Sequence, residues 1–297
     1  MRLLCTGTLL AGNHLNKVWR GMAQRSNSLE PGLPMMVKWV PKKEVLAAEL
    51  ACAVAARALR LPVPAGALVL AEKADLPGLP QRVRGGPKDL VLCYGSELQW
   101  PDDTVARPRA ADAAEEWTWQ QVCHSAQGAS GGVWDELVAN EDRHCQNVVF
   151  DGSRWWLIDH ERALPSVAKV MEKFAQTMAR QTVIEERARQ NILASEMLAR
   201  RPMDHKMETL PAAWAGQRQR LQWLVEQSRD WSVGILDVDT VLMMAHVYLS
   251  SIALRLPTLA LHLQHRLAQP DAASLWNSSS LTTAKTPRRT RSPRPRS

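Results

Sequence analysis

The sequence is poor in phenylalanine and tyrosine, with two of each against 12 tryptophans among 297 residues. Its five cysteines are an odd number, lie far apart and form no C-x-x-C pair, which argues against a disulfide framework or a zinc site. We therefore expect free thiols and a cytoplasmic, reducing location. Hydrophobic residues make up 45% of the chain, which is enough to bury a core and excludes disorder throughout.

Long apolar runs are also lacking. The longest spans residues 241–254, is interrupted by His246 and two serines, and is followed by Arg255. A bilayer requires about 20 apolar residues, so this run predicts a buried helix and no transmembrane segment. Residues 1–10 contain one arginine and a short mixed run, which does not match a signal peptide.

The excess of positive charge comes from the C-terminal end of the chain. The formal charge is +7, but residues 285–297 contain one lysine, five arginines and no acid, so the remainder is nearly neutral. This composition predicts a disordered basic tail over residues 271–297. Contact of that tail with nucleic acid or anionic lipid is the alternative.

The N-terminal part has the pattern of short strands and one helix. Residues 35–40 predict an apolar strand with Lys38 in its middle, and two more strands are predicted at 67–70 and 90–94. Residues 43–61 are rich in alanine and leucine at helical spacing, which predicts a helix.

The remaining sequence is mostly helical in pattern. It also contains two short apolar segments around an Asp-Gly turn, which predict a hairpin. The predicted helices cover residues 114–124, 133–139 and parts of 166–200, 212–230 and 237–266, and the predicted strands cover residues 147–150 and 155–158.

Three side chains around this hairpin could carry phosphoryl transfer. Asp142 and Asn147 stand five residues apart, and Asp159 follows the second strand. Transfer from ATP needs a carboxylate near the acceptor hydroxyl, with an amide oxygen and another carboxylate to hold magnesium. A hairpin would bring Asn147 and Asp159 to the same end of two paired strands, so they could share one ion.

These residues resemble the catalytic and metal-binding loops of HipA-like kinases, atypical bacterial serine/threonine kinases related to the phosphatidylinositol 3- and 4-kinases. The N-terminal part agrees, because Lys38, Glu49 and residues 60–64 are similar to that family's lysine strand, glutamate helix and the segment that follows. The matching residues of the loops are Asp142, Arg143, His144 and Asn147, then Trp156, Ile158, Asp159 and His160.

The resemblance implies an α+β, bilobal protein-kinase-like fold with ATP and Mg²⁺ bound between its lobes. The N-lobe, β-rich with one helix, would span residues 1–94, a connector 95–111, and a larger helical C-lobe 112–270. The acceptor would be a protein serine or threonine. The alternatives are a small-molecule or lipid kinase of the same fold and a non-catalytic binding module.

The resemblance also assigns roles. Lys38 would contact the ATP phosphates and pair with Glu49, for which Glu44 is the rival. Asp142 would be the catalytic base, and Asn147 and Asp159 would bind magnesium.

Further residues would support these groups. Arg143 and His144 belong to the catalytic loop, and His160 would order the magnesium loop through a hydrogen bond. Tyr94 would begin a hinge whose backbone meets adenine, and Glu161 with Arg162 would form a solvated or intramolecular pair. Gly7, Gly12 and Gly21 match no G-x-G-x-x-G pattern, so the position of the phosphate loop stays open.

Overall fold

The computed structural model describes residues 1–10, 16–26, 28–83, 85–86, 89–100, 111–165, 167–168, 191–200, 207–261 and 263. These residues form a mixed α/β structure whose N-terminal part is rich in sheet and whose C-terminal part is helical. The strands are β1 (Arg2–Leu3), β2 (Thr8–Leu9), β3 (Lys17–Gln24), β4 (Leu33–Trp39), β5 (Gly66–Glu72), β6 (Leu90–Glu97), β7 (Val148–Phe150) and β8 (Trp155–Leu157). The helices are α1 (Lys43–Ala58), α2 (Ala111–His124), α3 (Ala126–Leu137), α4 (Ile192–Arg200), α5 (Leu210–Trp214), α6 (Arg218–Ser228) and α7 (Leu236–Arg255).

The N-terminal sheet curls until its strands close into a ring. The strand order is β1-β5-β6-β4-β3-β2, and β1 pairs with β3 as well as with β5. Alternate residues of each strand point inward, and the fully buried Trp19 and Val37 belong to the small core inside the ring. Lys38, the next residue after Val37, therefore lies on the outer face of the sheet.

Helix α1 covers that outer face and also belongs to the helical part. Its sequence is dominated by alanine, which has the highest helix propensity and lets neighbouring elements approach closely. The helix packs on β5 and β6 on one side and on α7 on the other. Its buried residues therefore belong to one large core shared with the C-terminal helices.

A buried arginine joins the last described helix to the helix that precedes the candidate site. Arg255, in the last turn of α7, donates from Nε to the carbonyl oxygen of Leu137 at 2.6 Å and from Nη2 to that of Glu136 at 3.0 Å. Carbonyl groups at a helix C-terminus lack intrahelical partners, so these bonds satisfy the end of α3. The end of α3 fixes where the following loop begins.

Helix α7 and its continuation, Leu236–Leu261, are the one part of the described chain long and apolar enough to cross a membrane by length and composition. The mean hydropathy of its apolar window is 1.3, and 44% of that window is buried within the protein. Its buried residues, including Tyr248, Leu249 and Ile252, belong to the shared core.

Strands β1, β2 and β3 have no counterpart among the predicted elements, and α3 begins seven residues before the helix predicted at 133–139. Most other elements differ from the predictions only at their ends. The predicted helix over 43–61 ends three residues earlier, at Ala58. The strand predicted at 90–94 continues to Glu97 in the middle of the sheet, so the sheet extends beyond the predicted end of the N-lobe at residue 94. The predicted tail at 271–297 and most of the predicted connector lie outside the described residues.

The shared core predicts that truncation of two leucines of α7 lowers the free energy of unfolding by unequal amounts. Leu249 of α7 is fully buried, whereas Leu254 is 56% exposed. We expect Leu249→Ala to lower the free energy of unfolding by about 2–5 kcal/mol, because it leaves a cavity in the core. Leu254→Ala should cost less than about 1 kcal/mol, and urea denaturation of both variants measures the difference. Equal costs would contradict the packing of α7 described above.

Candidate active site

Lys38 is the centre of the candidate site. It lies on β4 opposite Tyr94 of β6 and Val18 of β3, and its side chain is 12% exposed. Its ammonium nitrogen is 3.0 Å from Glu49 Oε1, 2.8 Å from Asp159 Oδ1 and 2.9 Å from Glu161 Oε2. Three carboxylates from distant parts of the chain thus meet at one cation.

The electrostatics of this cluster keep Lys38 charged. Burial alone would lower the pKa of Lys38, but the facing carboxylates of Glu49, Asp159 and Glu161 outweigh it and raise that pKa. For Glu49, burial is the largest influence and raises its pKa although Lys38 opposes the shift. For Asp159, burial is also the largest influence, but Lys38 and its hydrogen bonds outweigh it and lower the pKa.

Glu49 is held firmly in place. It lies on the buried face of α1, and its second oxygen, Oε2, accepts the backbone N–H of His160 at 3.0 Å. The rival partner, Glu44, instead lies 3.7 Å from Lys42 at the start of the helix. The structure therefore brings Lys38 to Glu49 and not to Glu44.

The loop that contains Asp142 is folded by its own hydrogen bonds. The carbonyl oxygen of Asp142 accepts the backbone N–H of His144 at 3.0 Å and the Nδ2 of Asn147 at 2.8 Å. The carboxylate of Asp142 is 28% exposed, and its Oδ2 lies 3.4 Å from Arg162 Nε. The loop thus presents the carboxylate of Asp142 outward while it fixes the amide of Asn147.

The hairpin brings Asn147 and Asp159 to the same end, as the sequence predicted. Strands β7 and β8 are antiparallel with Val148 opposite Leu157, and the N–H of Ile158 donates to the carbonyl oxygen of Asn147 at 3.0 Å. Asp159 follows at once, with φ of 60°, a left-handed conformation that aspartate adopts more readily than most residues. This turn directs the Asp159 carboxylate to Lys38.

The side-chain oxygens of Asn147 and Asp159 are ligands that suit a hard cation. Because Nδ2 of Asn147 is used by the Asp142 carbonyl, its Oδ1 is the remaining polar atom, and it accepts no hydrogen bond from the described residues. Three carboxylates against the single ammonium of Lys38 also leave a net negative charge at the cluster. A free amide oxygen beside such a cluster fits magnesium, which takes oxygen ligands.

Arg143 organises both loops from inside the protein. Its fully buried guanidinium forms a bidentate ion pair with Asp135 of α3, at 3.0 Å from Nε to Oδ2 and 2.9 Å from Nη2 to Oδ1. Its Nη1 donates to the carbonyl oxygens of Asn147 and Ile158. Arg143 thus fastens both strand ends that carry the candidate metal ligands to α3.

His160 contributes two hydrogen bonds to the same framework. Its backbone N–H binds Glu49, and its ring Nε2 accepts from Trp134 Nε1 at 2.9 Å and lies 3.0 Å from Arg143 Nη2. Burial, followed by the charges of Arg143 and Lys38, lowers the pKa of His160 well below its usual value, so the ring is neutral. Its contacts match the predicted role of ordering the loop after Asp159.

Tyr94 lies within the N-terminal sheet, and His144 lies in the loop that contains Asp142. Tyr94 pairs with Lys38 on one side and Leu68 on the other, in the middle of β6, and its side chain is buried. A central strand commits its backbone groups to both neighbours, so the prediction that Tyr94 begins an adenine-binding hinge is wrong. His144 is half-buried at the start of the short helical turn Cys145–Asn147.

Several residues of the site have little local signal in the sequence. Asp135 binds Arg143, and Trp134 binds His160. The one signal for them in the sequence is a charged pair, Asp135-Glu136, inside an apolar helical run. Asn16, which donates from Nδ2 to Glu161 at 2.7 Å, gave none. The predicted pairing of Glu161 with Arg162 is wrong, because Glu161 contacts Lys38 and Arg162 contacts Asp142.

Comparison with known proteins finds structural likeness at a distance and no match in sequence. No family model matches the chain, and no curated protein matches it. The chain is similar to a proinflammatory kinase of Helicobacter pylori, CtkA, in its crystal structure, with 12% identity and a TM-score of 0.45. The likeness covers 89% of this chain and 99% of that chain. At this distance, the question of activity rests on the geometry of the site.

The buried contacts of Arg143 predict that removal of its counter-ion, Asp135, strongly lowers the free energy of unfolding. Asp135→Ala leaves the guanidinium of Arg143 uncompensated, and we expect the free energy of unfolding to fall by about 3–5 kcal/mol. The matched control is Glu72→Ala, which breaks the exposed ion pair with Arg2 and should cost no more than about 1 kcal/mol. Chemical denaturation of both variants measures these costs, and a loss at Asp135 as small as that at Glu72 would contradict the framework.

Proposed function

We propose that this protein is an ATP- and Mg²⁺-dependent phosphotransferase with a bilobal, protein-kinase-like architecture, of the kind found in HipA-like kinases. The observation that carries the proposal is that carboxylate oxygens of Glu49 and Asp159 lie within 3.0 Å of the Lys38 ammonium nitrogen. The loop of Asp142 and Asn147 lies beside this cluster. In this proposal, these side chains take the polar roles of phosphate contact, metal binding and acceptor orientation that phosphoryl transfer from ATP requires.

Lys38 supplies the positive charge for the phosphates in this proposal. Its ammonium stays protonated because of the surrounding carboxylates, and Glu49 holds it in a fixed position from α1. A lysine constrained in this way stabilises the charge of the transferred group without a large rearrangement.

Asn147 and Asp159 would hold the magnesium ion. Their amide and carboxylate oxygens lie at one end of the hairpin, and both strand ends are fastened by Arg143. A bound magnesium ion would neutralise negative charge on the phosphates. The contribution of the protein is to keep these oxygen atoms aligned with Lys38.

Asp142 would orient the acceptor hydroxyl and accept its proton. Its carboxylate is 28% exposed, whereas Arg143 next to it is buried. An acceptor hydroxyl can therefore reach this carboxylate from solvent. The backbone of Asp142 is fixed by Asn147, so the base and the metal ligands keep a constant spacing.

The acceptor we propose is a serine or threonine of a protein, and the proposed location is the cytoplasm. In support of a reducing compartment, all five cysteines are free thiols. Burial raises the pKa of the thiols of Cys52 and Cys93, that of Cys93 to about 12, so these two are unreactive. The basic tail lies outside the described residues and has no part in this proposal.

Removal of the proposed base tests the assignment. We expect Asp142→Asn to lower Mg²⁺-dependent ATP turnover or autophosphorylation by about 10²- to 10⁴-fold, because proton transfer and acceptor orientation are lost. Asp159→Asn should be at least as damaging, and chelation of magnesium with EDTA should abolish the activity. Asp230→Asn, an exposed change of the same chemistry outside the site, is the control and should keep full activity.

The identity of the labelled product separates the candidate functions. Purified protein is incubated with γ-labelled ATP, Mg²⁺ and a cell lysate. Label on a protein serine or threonine supports the proposed acceptor, and label on a metabolite or lipid assigns a small-molecule or lipid kinase instead. Wild-type activity in both Asp142→Asn and Asp159→Asn would contradict the roles assigned to these two residues. No transfer to any species would contradict the proposal and favour a non-catalytic binding module.

A further inference from the structure

Glu161 is the third carboxylate on Lys38, and the proposed reaction assigns it no task. Its Oε2 lies 2.9 Å from the ammonium of Lys38 and accepts a hydrogen bond from Asn16 Nδ2 at 2.7 Å. The side chain is 13% exposed. Asn16 immediately precedes β3, so Glu161 ties the segment after Asp159 to the N-terminal sheet.

The number of donors on Lys38 limits what else it can bind. A lysine ammonium has three N–H groups. Two of them donate to Glu49 and Asp159, and Glu161 Oε2 lies 2.9 Å from the same nitrogen as an ion-pair partner. A phosphate oxygen that binds Lys38 directly must therefore take a position next to the ammonium that a carboxylate oxygen now occupies.

Of the three carboxylates, Glu161 is the one most free to move. Glu49 is fixed by α1, which is packed on both sides, and by its bond to the His160 N–H. Asp159 has a short side chain, and the residue before it is fixed to the hairpin, where the N–H of Ile158 donates to the carbonyl oxygen of Asn147. Glu161 has a longer side chain on a turn, and its other partner, Asn16, also lies outside regular secondary structure.

The charges at Lys38 also favour the replacement of Glu161 by a nucleotide phosphate. A nucleotide phosphate beside Lys38 would face the negative charge of Glu161 at close range, and this repulsion weakens nucleotide binding as long as Glu161 stays. The next residue, Arg162, contacts Asp142, so the turn at residues 161–162 contacts Lys38 and Asp142, two of the groups that the proposed reaction uses.

We propose that Glu161 occupies the phosphate-binding position on Lys38 in the absence of nucleotide, and that nucleotide binding requires its displacement. This inference rests on the proposed function, and it adds a competing internal anion to the site. Asn16 is then a positioning residue, since it holds Glu161 on Lys38.

The test is calorimetric titration of the full 297-residue chain with ADP and Mg²⁺. Glu161→Gln keeps the size and the hydrogen bond from Asn16 but removes the charge, and we expect a Kd about tenfold lower than that of the wild type, equivalent to about 1.4 kcal/mol. Asn16→Ala frees Glu161 without changing any charge, and should lower the Kd about threefold. Glu72→Gln, the same charge change at an exposed position on β5, is the matched control and should leave the Kd unchanged.

The outcomes separate the two proposals. If the wild type binds ADP and both Glu161→Gln and Asn16→Ala bind it no more tightly, Glu161 is not a competitor and the inference fails while the proposed function stands. Weaker binding in Glu161→Gln would make Glu161 part of the nucleotide site and also overturn the inference. If neither the wild type nor any variant binds ADP, the proposed function fails together with the inference. Asn16→Ala decides the matter if Glu161→Gln does not fold.

Discussion

The ion pair between Lys38 and Glu49 is the interaction on which the arrangement of the site depends. Taking both charges out of water is costly, and their mutual attraction offsets this cost only when geometry and further hydrogen bonds are good. Here the pair meets both conditions, since Glu49 also binds the His160 N–H and Lys38 also binds Asp159. The pair therefore joins the sheet, α1 and the segment after the hairpin.

The packing of α1 makes this ion pair a permanent feature of the fold. The helix lies between the sheet and α7, and its alanine-rich surface allows close contact on both sides. A rotation of α1 that withdrew Glu49 from Lys38 would have to disrupt the shared core as well. Buried cores are close-packed and resist such shifts. We therefore expect the ion pair of Lys38 with Glu49 to persist when other groups around it change position. Arg143 has the matching role in the helical part, where it fixes both ends of the hairpin to α3.

Much of this arrangement could be predicted from the sequence because it depends on local patterns. The apolar strand around Lys38, the alanine-rich helix with Glu49 and the hairpin between Asn147 and Asp159 all have a clear periodicity or spacing, and the structure contains all three. The hairpin alone places Asn147 and Asp159 at one end, since strand pairing requires it.

What could not be predicted depends on contacts between distant residues. The partners of Arg143 and Glu161, namely Asp135 and Asn16, lie on other elements, and nothing in their local sequence indicates the pairing. Tyr94 was misplaced for a related reason: the strand predicted at 90–94 continues to Glu97 because neighbours on both sides pair with it, and the pattern of one strand does not reveal its neighbours.

The most direct measurement of the central claim is a crystal structure of the protein with Mg²⁺ and a non-hydrolysable ATP analogue. The account predicts a phosphate oxygen within hydrogen-bond distance of Lys38 Nζ, about 2.7–3.2 Å, while the ion pair of Lys38 with Glu49 persists. A nucleotide bound elsewhere on the protein, or a Lys38 ammonium turned away from the phosphates, would contradict it.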